Sequence, residues 1–358
     1  MLPSEQSELS GGWNAVTITK TVTSSRFAFW FVLGLLAMIS LPVAFTLSSV
    51  RVSALRPIDE VIGTNPTPYG YTVSLLIFVV PIILIAVWFI PRQGIHISKR
   101  AFLWTIGILA PLGGALDFFF AQFFLTFPNP HATIGIPAPA LGHCVPIEEY
   151  CFYLTGFLTA LLLYLWLDGY WLRAYSIPEL DEKRLSISKL VGFHPDSVVV
   201  TTLAIALALI YKRFFTNSDP GFPGYFIFLA VSVLLPSMIL FPKVRAVINW
   251  RALSLTLFMI VLTSLLWEAT LAMPYGWWGY QHTAMMGIYI RAWGYLPVEA
   301  VFVWLAVTYA TVILYEAVKC WKSSGRSARS AFLGQRAPTT SAPADSPTPA
   351  NTGARSRQ

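Results

Sequence analysis

Five carboxylates stand where a very apolar sequence seldom places them. Asp117 lies inside one long apolar run and Glu268 inside another, while Pro146-Ile-Glu148-Glu149 and Pro297-Val-Glu299 open two more. An ionisable group in hydrocarbon costs about 3 kcal/mol or more and by default faces a bundle interior or a cavity. Carboxyl groups taken out of water hold their protons, and close neighbours share them, so one can act as an acid while another stays a base. Each has a plainer reading too. A buried acid can be a polar staple between helices, and Pro followed by Glu suits the first turn of any helix, where the free N–H groups and the dipole favour an anion. Repetition tilts the balance toward chemistry, because the acids recur at matched positions.

Aromatic residues crowd the same places. Phe118, Phe119, Phe120, Phe123 and Phe124 follow Asp117, and Tyr153 lies one turn after Glu149. Tyr275, Trp277, Trp278, Tyr280, Trp293 and Tyr295 fill the stretch between Glu268 and Glu299. Some belong to an interfacial belt. A pocket for a hydrocarbon cation wants the same side chains, since ring faces stabilise positive charge and offer no nucleophile to quench it. Acid, apolar cavity and ring walls together suit proton-initiated chemistry on an isoprenoid. In that reading Trp277, Trp278, Tyr280, Trp293, Phe120 and Tyr153 bind substrate.

The elements that must hold these groups are membrane spans. Of 358 residues 56% are hydrophobic and 11% charged, with a mean hydropathy of +0.63; a soluble chain carries roughly 25% charged residues. Eight runs approach the roughly 20 apolar residues a crossing needs: 27–49, 70–90, 101–126, 147–168, 196–214, 224–241, 252–273 and 298–320. The fifth is the weakest. With the N-terminus inside, 19 of the 24 Lys and Arg fall on the cytoplasmic side and 5 on the other, which puts both termini in the cytoplasm by the positive-inside rule. The net charge of +7 is thereby a topology signal, and no basic run with interleaved aromatics points to nucleic acid. Residues 1–25 are a polar N-terminal segment, 170–194 a cytoplasmic linker, and 322–358 a low-complexity tail expected to be disordered.

A shift of 151 residues lays the second half on the first, so that Pro91 meets Pro242, Arg100 meets Arg251 and Asp117 meets Glu268. Under the same shift Pro146 meets Pro297, Glu148 meets Glu299, and Tyr164 meets Tyr315. The expected fold is therefore an all-α integral membrane protein of eight transmembrane helices. They form two parallel four-helix repeats, residues 26–169 and 195–321, each even in spans and so alike in orientation. Both Pro-x-Glu motifs would lie at the outer edge beside the outward ends of the Asp117 and Glu268 helices, bringing up to five carboxyls around one outer-leaflet cavity.

An acid in one helix, a Trp/Tyr-bearing loop, then Pro-x-Glu-Glu opening the next helix, twice over, resembles the non-flavin lycopene cyclase domain of small bacterial heterodimeric subunits and fungal fusion enzymes. The residues that carry the resemblance are Pro146-Ile-Glu148-Glu149-Tyr150, Pro297-Val-Glu299-Ala300-Val301-Phe302, and Glu268 with Gly276-Trp277-Trp278-Gly279-Tyr280. It covers roughly residues 27–320. The resemblance implies cyclisation of an acyclic carotenoid end without net redox and without a cofactor. Glu148 and Glu149 would then be the proton-handling pair, with Glu299 their counterpart and Asp117 and Glu268 orienting or recharging them. Three departures stand out: Ala300 replaces the family's second Glu, Glu268 its more usual Asp, and the loop from Thr126 to Val145 lacks the Trp and Tyr.

Other classes fit less well. A membrane prenyltransferase needs Asp-rich motifs for Mg²⁺ and diphosphate, and no DDxxD or NDxxD occurs. The five histidines include no pair at i, i+3 or i+4, which disfavours a helical metal site. Cys144, Cys151 and Cys320 show no CxxC spacing. A proton-coupled transporter or a lipid-binding membrane protein would also use intramembrane acids. Transporters, however, interrupt spans with Gly or Pro at matched sites, whereas Pro81, Pro111 and Pro236 find no partner under the shift. The implied partners are a hydrophobic isoprenoid and membrane lipid.

Overall fold

The computed structural model describes residues 57–64, 67–175, 187, 189–216 and 221–334. The expected span at 27–49, the segment 1–25, residues 176–186 and 188 of the linker and the tail beyond 334 lie outside the described residues. Every expected run from the second onward is helical. A short α1 (Ile58–Thr64) precedes α2 (Gly70–Arg92), α3 (Lys99–Phe124), α4 (Ile147–Trp171), α5 (Pro195–Phe214), α6 (Gly224–Ile239), α7 (Trp250–Ala272), α8 (Glu299–Ser323) and α9 (Ala328–Leu333). Six of them, α2 to α5 with α7 and α8, are long and apolar enough to cross a membrane. At about 1.5 Å per residue the 16-residue α6 falls short of a layer roughly 30 Å thick.

The helix starts follow from the local residues. Ser98 Oγ accepts from the Ala101 N–H at 3.4 Å and Asn249 Oδ1 from the Ala252 N–H at 3.2 Å, satisfying donors that α3 and α7 would otherwise leave bare. One turn further in, Thr105 and Thr256 return their hydroxyls to the carbonyls of Ala101 and Ala252, each at 2.8 Å. Both threonines are fully buried, so the back-bond is what lets a hydroxyl sit in the core. The two caps are partners under the repeat shift, and so are the two threonines.

Burial locates the centre. In the most apolar stretch of both α4 and α8, 56% of the residues are buried, against 17% for α2 and 11% for α5. α4 and α8 pack on each other, α3 and α7 pack against both, α2 leans on α4, and α6 carries α5 on the flank of α8. Trp267, Trp304, Tyr71, Tyr164 and Tyr315 fill the interior. On the outside Val87, Leu207 and Phe258, on three different helices, are 63–70% exposed, apolar faces suited to lipid rather than water. The protein is thus mostly helical and of the multi-pass membrane type.

Loops at one end of the bundle are tied by short strands. Pro137–Ala140 (β2) pairs with His143–Pro146 (β3), and Tyr289–Ile290 (β5) with Leu296–Pro297 (β6), each just before a central helix. Leu125–Thr126 (β1) pairs with Gly279–Tyr280 (β4), linking the loop after α3 to the loop after α7. At the other end the expectation of a disordered tail from residue 322 is corrected. α8 runs to Ser323, and α9 is held by Leu190 and Val191, whose N–H groups donate to Ala331 and Phe332 at 2.9 and 3.2 Å. Polar composition dominates that stretch in sequence, yet Phe332 and Ala331 supply enough apolar surface to dock beside Trp321.

Candidate functional site

Two of the five carboxylates meet in one cavity. Glu149, in the first turn of α4, and Glu268, near the end of α7, are 3% and 2% exposed and both line a small hollow of about 30 Å³. α7 widens into a π-turn at Glu268–Ala272, an irregularity that recurs at functional sites and re-aims side chains. Tyr71 Oη donates to Glu149 Oε2 at 2.7 Å. Glu268 takes two donors, Tyr280 Oη at 2.5 Å and Trp304 Nε1 at 3.0 Å. The two acids are near enough to feel each other's charge, and among the described residues no Lys, Arg or His lines the hollow.

The walls are rings. Trp278 stands 4.5 Å from Trp267 and 4.9 Å from Tyr71, centroid to centroid. Phe152 meets Trp304 edge-on at 5.3 Å, and Tyr153 and Tyr225 close the rest. Tyr280 sits on β4, where burial, with the Glu268 carboxyl beside it, raises its phenol well above the ordinary value and keeps it a donor. The chemistry such a hollow supports is proton exchange next to a carbocation: carboxyls to give and take a proton, ring faces to hold positive charge, little water. Among the described residues no cluster of three His, Cys, Asp or Glu is arranged for a metal.

Asp117 lies beside this hollow rather than in its wall. It is 1% exposed, both carboxylate oxygens lack a hydrogen-bond partner among the described residues, and Glu149 lies close enough for the two charges to interact. The other two acids do different work. Glu148 Oε1 accepts from the Thr72 hydroxyl and from the Ile134 N–H at 2.8 Å, pinning the loop after α3. Glu299 Oε1 accepts from the Met286 N–H at 2.5 Å and pins the loop after α7 in the same way. The expected convergence of all five carboxyls on one cavity is therefore corrected to two in the wall, one behind it and two at helix starts bound to loop amides. The reason is helical spacing: neighbours at i and i+1 point about 100° apart, so Glu148 and Glu149 cannot both face the axis.

The aromatic expectations divide likewise. Trp278, Tyr280 and Tyr153 line the hollow. Trp277 instead lies across Gly70, where a Cβ would come within 2.6 Å of its ring, and donates to Thr67 Oγ1 at 3.0 Å. Phe120 is 39% exposed and stacks on Phe124 at 6.2 Å, and Trp293 sits in a loop turn outside the hollow. Tyr71, Phe152, Tyr225, Trp267 and Trp304 were not singled out from the sequence. Two signals were present in it: Trp267 precedes Glu268, and Trp304 is the partner of Tyr153 under the repeat shift. Cys144 and Cys151 are exposed and not bonded to each other. Comparison of the chain with family models, with curated proteins and with solved structures gave no match to any of them.

Proposed function

We propose that the protein is a membrane-embedded isoprenoid cyclase, an intramolecular lyase of lycopene-cyclase-like chemistry, in which Glu149 and Glu268 exchange protons with the end of an acyclic polyene. One carboxyl delivers a proton to a terminal C=C bond and leaves a tertiary cation. The neighbouring C=C bond attacks that cation, forming the C–C bond of a six-membered ring, and the second carboxyl removes an adjacent proton to restore a double bond. Protons gained and lost balance, and no electron acceptor is needed. Glu148 and Glu299 hold the loops over the site, and Asp117 supports Glu149 from behind.

The single observation that carries this reading is two buried carboxyls in one ring-walled hollow, with no cation among the residues that line it. A polar staple alone would need neither the second acid nor the aromatic wall. On this reading the chain forms two like-oriented four-helix units with both termini in the cytoplasm. Support comes from features that recur at the repeat shift or within one position of it: the caps at Ser98 and Asn249, the threonines at 105 and 256, the Glu148 and Glu299 loop bonds, and the hairpins before α4 and α8.

The test is expression in a lycopene-accumulating host, with chromatography of the pigments. Monocyclic or bicyclic carotenoids are expected from the full chain and not from the Glu149→Gln variant. Unchanged lycopene with well-inserted protein would remove lycopene as the substrate, and full activity of Glu149→Gln would remove the mechanism.

A further inference from the structure

A second hollow lies at the opposite end of the bundle, where α3 begins and far along that helix from Asp117. Ser98, Lys99, Arg100, Lys319, Lys322 and Ser323 border about 430 Å³ of space between the start of α3 and the end of α8. Among the described residues no carboxylate lies within ion-pair distance of these four cations. Four positive charges around the first turn of a 26-residue helix form a strong anion site, because the free N–H groups and the helix dipole add to the side chains. Lys322 Nζ also lies 3.5 Å above the Trp321 ring and 4.4 Å above Trp104, which holds the charge at the mouth.

The matching place, between the start of α7 and the end of α4, is built to refuse an anion. Under the repeat shift Asp168 stands where Lys319 is, Trp171 where Lys322 is, and Trp250 where Lys99 is. There Asn249 Nδ2 donates to Asp168 Oδ1 at 2.9 Å, and the one matching cation, Arg251, lies over the Tyr175 ring at 3.7 Å. One place holds a carboxylate and a single cation, and the other holds four cations around a hollow.

We propose that this hollow binds the phosphate headgroup of an anionic phospholipid. Phosphate is the shared chemistry of a lipid and a free ion. The lipid is favoured because Leu103 and Trp104, 67% and 50% exposed, continue from the hollow along α3, a helix long enough to span a membrane. Acyl chains would lie against that surface while the headgroup meets the basic residues. The site is independent of the cyclase reading.

The full chain, reconstituted in phosphatidylcholine vesicles with and without phosphatidylglycerol and then extracted, is examined by native mass spectrometry for retained lipid. Preferential retention of phosphatidylglycerol is expected, falling about tenfold in Lys99→Gln/Lys322→Gln. It should persist in Lys243→Gln/Arg245→Gln, which removes the same charge from exposed positions outside the hollow. Equal loss in both double variants, or no preference in the unaltered chain, overturns the proposal. If inorganic phosphate alone binds the chain in phosphatidylcholine and competes phosphatidylglycerol away, the site serves free phosphate and the lipid assignment falls.

Discussion

Asp117 and Glu268 occupy matched positions yet live in opposite circumstances. Glu268 receives Tyr280 and Trp304, whereas Asp117 has Asn129 and Tyr153 at the corresponding places and receives neither. Asn129 is occupied elsewhere: its Nδ2 donates to the Tyr275 carbonyl at 3.0 Å and its Oδ1 accepts from the His131 N–H at 3.2 Å. The lesson is that a repeated acid need not be a repeated function. One half presents a hydrogen-bonded carboxyl to the hollow, and the other presents Glu149 with Asp117 behind it.

That contrast can be tested in order of expected size. Replacing either cavity acid, Glu149→Gln or Glu268→Gln, should lower turnover by about 10²-fold or more, the scale of a lost general acid or base, with insertion and thermal stability nearly intact. Retained turnover in one of them would leave a single acid in charge and break the pairing. Stability should separate the two buried acids. Glu268→Leu leaves the Tyr280 and Trp304 donors buried and unmatched and should cost about 1–3 kcal/mol, while Asp117→Leu removes an unpartnered polar group and should be neutral or stabilising. Thermal unfolding in detergent would show this, and equal losses would mean that Asp117 has a partner after all.

Smaller effects sharpen the same picture. Tyr71→Phe and Tyr280→Phe each delete one hydrogen bond to a cavity acid and should lower turnover about fivefold, the equivalent of about 1 kcal/mol. Pigment yield against protein level would measure it. The loop acids should behave alike: Glu148→Gln and Glu299→Gln keep an acceptor for the loop N–H, so each should shift stability by less than about 1 kcal/mol and leave turnover within a few-fold. A large loss of turnover in Glu148→Gln alone would return that residue to the reacting pair.

Much of this was legible in the residue order. Long apolar runs mark the spans because nothing else justifies so little charge, and the proline-then-glutamate openings mark the starts of α4 and α8 because the physics of a helix start is local. The docking of α9 was not legible, since Phe332 and Ala331 are diluted by Ser, Gly and Arg in any composition window. Nor was Tyr71, a hydroxyl at the head of an unremarkable apolar run, whose partner Glu149 lies 78 residues away. No periodicity announces a contact made across that distance.

The order of residues by itself determined a multi-pass helical membrane protein with buried acids in an aromatic setting, because hydropathy, capping and the cost of charge in hydrocarbon act over one or two helical turns. Tertiary structure alone decided which acids share a hollow. Glu149 and Glu268 line the same hollow while Glu148 and Glu299 bind loop amides, an outcome set by how the helices rotate about their axes when they pack. That rotation depends on side-chain volumes from distant segments, which no local rule contains.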